Sequence, residues 1–139
     1  MFYNLKMKNA KQMKFWSNIF FLIPLIISTY YGLYWYSILI SMVIIMSCLF
    51  HFYNEHKIIY YFDVLFSSTI MLSNFILLFR GHWMAPYSIM AILFALTALF
   101  FYFRQSEYGY NLDHGLWHIF SSGVSTFCII TFLKFTHII

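Results

Sequence analysis

Charge is scarce in this chain. Eight Lys and Arg and four Asp and Glu make up 9% of 139 residues, while 63% are hydrophobic and 24% aromatic. Water-soluble domains carry charge on about a quarter of their residues, so that class is excluded and an integral membrane protein is implied. Cysteine is nearly absent. Cys48 and Cys128 both fall inside apolar runs and at different depths, which argues against a disulfide between them. Acid is missing altogether from the first fourteen residues, which carry Lys6, Lys8, Lys11 and Lys14 and account for most of the net charge of +4. A basic tail of this kind lies against anionic headgroups on the cytoplasmic side and implies no nucleic-acid partner. No small-residue cleavage site follows it, so residues 1–14 read as a cytoplasmic tail of the mature protein and 15–139 as one transmembrane domain.

What is present is a series of apolar runs long enough to cross a bilayer, which takes about 20 helical residues. No charge occurs between Phe15 and Asn54, a stretch too long for one span and suited to two. Gly32, flanked by Tyr30, Tyr31, Tyr34, Trp35 and Tyr36, marks the break, because such aromatic clusters collect at the membrane interface. The pattern predicts an all-α bundle of five spans at about Phe15–Tyr31, Leu33–Phe52, Ile58–Phe79, Met84–Phe103 and Leu112–Leu133. Pro24 should kink the first span, and Pro86 suits the first turn of the fourth. Short connections make sequential helices antiparallel neighbours. The bias of basic residues, with Lys57 and Arg104 on the side of the N-terminal lysines against Arg80 and Lys134 opposite, predicts a cytoplasmic N-terminus and an external C-terminus.

That topology brings the polar residues of the spans to one depth on the cytoplasmic face. Ser47 and His51 end the second helix, Asp63 begins the third, and His114 and His118 begin the fifth. Ionisable groups are costly in lipid and by default mark a site. Residues four apart stack on one helix face about 6 Å apart along the axis, so His114 and His118 can bind one metal ion. Such a pair alone is as easily accidental as functional. A third histidine, a carboxylate and a serine at the same depth favour a zinc centre, since histidine and carboxylate are zinc-binding groups. Ser67 and Asn74 on the third helix, and Ser121, Ser122 and Ser125 on the fifth, continue these faces inward as the expected lining of a cavity. His56, His82, His137, Glu55, Glu107 and Asp113 read as solvated rim residues, although Asp113 could orient its neighbour His114. Trp117 reads as an interface anchor.

Ser-x-x-x-His closing one helix, an Asp opening the next, and Asp113-His114-Gly115-Leu116-Trp117-His118 opening the last together resemble the CREST superfamily of membrane hydrolases. That family includes alkaline ceramidases and adiponectin-receptor-like, GPI-lipid-remodelling and myomaker-like proteins. The resemblance covers the second, third and fifth helices. It implies that His51, His114 and His118 hold zinc, with Asp63 and Ser47 attending the metal-bound water as catalytic residues. The family usually has seven helices, with three between the Asp helix and the last, where this chain has one. The shorter set implies a lipid-accessible site or a homodimer that closes it. Early acidic residues used by the ceramidases are absent here, which points away from ceramide itself.

The expected function is therefore a zinc-dependent hydrolase of a multi-pass membrane protein, its substrate a membrane lipid whose acyl amide or ester bond is cut in a ceramidase-like or phospholipase-like reaction. The alternative is a non-catalytic receptor or membrane-remodelling protein with a structural zinc. Di-iron desaturases need about twice as many histidines, and a bis-histidine haem would leave Asp63 unexplained.

Overall fold

The computed structural model describes residues 16–53, 56–104 and 110–137. Among them a 3-10 segment, Ser17–Phe21, runs directly into α1 (Leu22–Tyr30), followed by α2 (Tyr34–Phe52), α3 (Lys57–Arg80), α4 (Tyr87–Arg104) and α5 (Tyr110–Phe135), with no strand. Helices α2 to α5 are each long and apolar enough to cross a membrane. The protein is an all-α, membrane-embedded bundle of five helices.

The first helix departs from its expected span. Five residues of 3-10 and nine of α-helix are described, short of the roughly 20 that a full crossing requires. The expected interior kink at Pro24 is instead a change of helix type. Proline has no N–H to give the carbonyl four residues back, and the α-helical stretch begins only at Leu22, with Pro24 in its first turn. The tail at 1–14 lies outside the described residues. α4 also begins later than expected, at Tyr87, because residues 81–86 form the turn that precedes it.

Gly32 closes α1 as the sequence suggests, and the chemistry is specific. Its φ of 75° is left-handed, and the amides of Gly32 and Leu33 donate to the carbonyls of Thr29 (3.2 Å) and Ser28 (2.8 Å). This Schellman arrangement satisfies the last carbonyls of α1 and turns the chain straight into α2. Ser37 then returns to the same turn, its hydroxyl 2.8 Å from that of Ser28.

α5 is the organising helix. It packs against α4, α3, α1 and the 3-10 segment, while α4 has extended packing with α5 alone. Gly123 explains how closely those two approach. A Cβ built there would sit 2.1 Å from Phe94 Cδ1, so the α4 ring occupies the space a side chain would need. The core is formed by Phe21, Tyr36, Ile40, Val43, Ile70, Leu77, Cys128, Ile129 and Leu133, and both cysteines are free thiols. A polar strand crosses this core. The Tyr36 hydroxyl donates to Asn74 Oδ1, and Asn74 Nδ2 donates to Ser125 Oγ at 3.2 Å, tying α2, α3 and α5 together.

Candidate metal centre

α2 and α5 bring three imidazoles to one point. His114 Nε2 is 3.2 Å from His51 Nε2 and 3.1 Å from His118 Nε2, and the ligand atoms of all three lie within 4.8 Å of one another. The rings stand almost mutually perpendicular, at 89° for His51 with His114, 88° for His51 with His118 and 81° for His114 with His118. His114 and His118 are buried and His51 is half-buried.

Hydrogen bonding among the rings alone does not account for this convergence. An imidazole nitrogen carries either one N–H or one lone pair in the ring plane, so His114 Nε2 cannot serve two partners at once. A cation suits the arrangement. Nitrogens about 2.05 Å from one tetrahedral ion stand about 3.3 Å apart, close to the two spacings that His114 makes with His51 and His118. The three histidines could therefore hold a metal ion, and their donor set fits one.

Asp63 is buried on α3 and does not belong to the converging group. Its Oδ1 meets no hydrogen-bond donor among the described residues. Such a buried acceptor is costly unless something supplies a proton to it. Ser47 is fully buried and accepts from Asn18 Nδ2 at 3.1 Å, so its partner is Asn18 rather than Asp63.

Below the histidines lies a cavity of about 130 Å³, walled by Phe21, Val43, Ile70, Ala95, Ala98 and Val124 and reached by His118. Ser67, Asn74, Ser121 and Ser125 line it, as their faces suggested, while Ser122 turns back to the Ile119 carbonyl at 2.8 Å. Most hydroxyls of the spans make such a return bond to their own helix, and Ser67 and Ser121 do not. The cavity reaches Met71 and Leu99, which are 66% and 40% exposed. Since α3 and α4 have no extended contact with each other, the cavity opens sideways between them.

Several residues of the site were not legible beforehand. The 3-10 segment covers it, with Asn18 on Ser47 and Phe21 edge-on to His118 at 6.2 Å. Asn18 was signalled only as the one amide side chain in the apolar run from Phe15 to Tyr53. Asp113 is buried rather than part of a solvated rim, because Arg104 at the end of α4 grips it through Nε to Oδ2 (2.9 Å) and Nη2 to Oδ1 (2.5 Å). Trp117 is half-buried in the cavity wall against the rings of His114 and His118.

Fold and site together define a membrane-embedded helical protein with a three-histidine cluster that could hold a metal ion. Comparison of the chain with family models, characterised proteins and solved structures finds no match in any of the three.

Proposed function

We propose that this protein is a zinc-dependent hydrolase that cleaves an acyl amide or ester bond of a membrane lipid, in the manner of the CREST hydrolases it resembles. The observation that carries this is the convergence of three histidine rings from two helices, and Asp63, buried on α3 with its Oδ1 meeting no donor among the described residues, is the candidate base. His51, His114 and His118 would hold the ion. Zinc held there would supply a Lewis acid and activate a water. Asp63 would serve as general base toward that water and then as general acid toward the leaving amine or alcohol. Ser47 accepts from Asn18 and so has its own proton to donate to the carbonyl oxygen as charge develops there. The sideways-opening apolar cavity beside His118 suits an acyl chain arriving from the bilayer, and the two unspent hydroxyls of Ser67 and Ser121 suit the polar end of that chain.

One observation favours a second reading. α2 and α5 have no extended packing with each other, so an ion held between His51 and the α5 pair would clip them together in a receptor or membrane-remodelling protein.

Purified protein should carry about one zinc per chain, and His118→Ala should lose most of it together with release of fatty acid from a lipid extract, followed by mass spectrometry. Zinc retained at full stoichiometry after His51, His114 and His118 are all changed to alanine would overturn the centre.

A further inference from the structure

The opposite end of the bundle carries a cluster that the hydrolase reading does not use. Arg80 ends α3 and His82 lies in the turn after it, and both are exposed. Each rests on an aromatic ring of α5. The Arg80 guanidinium carbon is 5.5 Å from the Phe132 ring centre, and the His82 ring stacks on Phe135 at 4.3 Å. Phe132 and Phe135 are three apart, so they share one helix face and hold the two side chains next to each other.

Arg104, at the other end of the bundle, makes the comparison instructive. It too lies over rings, Phe101 at 4.9 Å and Phe100 at 5.2 Å, but its donors are closed on the Asp113 carboxylate. Arg80 has the aromatic seat without the carboxylate, and among the described residues its five donors meet no acceptor. No neighbouring side-chain carboxylate is available to it, because no Asp or Glu occurs from Val64 to Arg104 or from His114 to Ile139. Lys134, in the last turn of α5, adds a further positive charge at this end of the bundle.

The turn is built to keep the cluster in place. His82 and Trp83 have φ of 49° and 53°, two consecutive side-chain-bearing residues in the left-handed region, which is strained and tends to occur where a ligand is clamped. The effect is to fold His82 back onto α5 and Trp83 back onto Phe75 of α3, at 5.7 Å. Phe79, Arg80, His82 and Trp83 then line a shallow depression at the helix ends.

We infer that this depression is a binding site for the phosphate of an anionic membrane phospholipid. Arginine forks recognise phosphate oxygens in pairs, and a histidine ring nitrogen adds a further donor. The lipid, rather than a free anion, is the occupant because Arg80 and His82 are framed by Phe79 and Trp83 at the end of spanning helices, the depth at which headgroups lie and tryptophan anchors.

The test uses the whole purified chain in detergent, titrated with short-chain phosphatidylglycerol, short-chain phosphatidylcholine and inorganic phosphate, with bound lipid counted by native mass spectrometry. Phosphatidylglycerol should bind in preference, and Arg80→Gln should weaken it about tenfold or more, the scale of a lost hydrogen bond to a charged group. His82→Phe keeps an aromatic ring against Phe135 and removes the donor, so it should weaken binding severalfold with helicity unchanged. Equal binding of the two lipids, or an unchanged preference in both variants, would overturn the site. Inorganic phosphate binding as tightly as phosphatidylglycerol would overturn the lipid as its occupant.

Discussion

Asp63 separates an enzyme from a metal clip more cleanly than any of the histidines, because removing a ligand harms both. Asp63→Asn keeps the size of the side chain and replaces an acceptor oxygen with a donor. If the carboxylate moves a proton, this variant should retain zinc and lose fatty-acid release by about 10² to 10⁴, the usual contribution of a general base. If the ion only joins α2 to α5, turnover or signalling should be indifferent to the change. Metal content and lipid hydrolysis measured on one preparation distinguish the two, and normal turnover with metal retained would rule out the proton-transfer role. At this scale the histidines were legible because their spacing is a helix repeat and their polarity stands out against apolar neighbours. Asn18 was not, because its partner Ser47 lies 29 residues away and nothing in the local pattern points to it. Asp113 was misread for a related reason: a charge beside a helix end looks solvated until the opposite charge closing on it, Arg104, is brought up by the fold.

Among the elements, α4 depends on the fewest neighbours. Its seat on α5 is Phe94 over Gly123, with Phe94 enclosed by Phe120 at 5.5 Å and Phe127 at 5.2 Å. Gly123→Ala should therefore cost about 1–3 kcal/mol through overpacking, seen as a lowered melting temperature in detergent. Phe94→Leu in the same chain should recover part of the loss, and an unchanged melting temperature in Gly123→Ala would show that the ring is not confined there. The helices themselves were legible as apolar runs separated by Gly32 and by short charged connections, with ends within three residues from α2 onward. The 3-10 start of the chain was not, since a 3-10 and an α-helical stretch of apolar residues read alike and only Pro24 hints at the change.

For the whole molecule, the asymmetry of charge has a consequence for orientation. The histidine end shares its side with Lys57 and Arg104, and from that bias of basic residues we propose that it faces the cytoplasm with the N-terminus inside. In intact cells a tag at the N-terminus should be protected and one after Ile139 accessible to an impermeant label. The reverse pattern would put the centre on the outer face while leaving its geometry unchanged. All-α architecture and membrane embedding followed from composition alone. The central position of α5 did not, because the apolar runs are alike in length and character, and which of them lies innermost depends on contacts that sequence periodicity does not encode.

The division of the centre between α2 and α5 also sets an order of events during synthesis. His51 and His114 are 63 residues apart, so at about 5–20 residues per second the ribosome delivers the second histidine some 3–13 s after the first. By the end of that interval His51 and Asp63 have both been made, on α2 and α3, while α5, which carries the other two histidines, is only beginning. α5 therefore acts as a keystone: a chain truncated before His114 lacks two of the three histidines that could hold a metal ion.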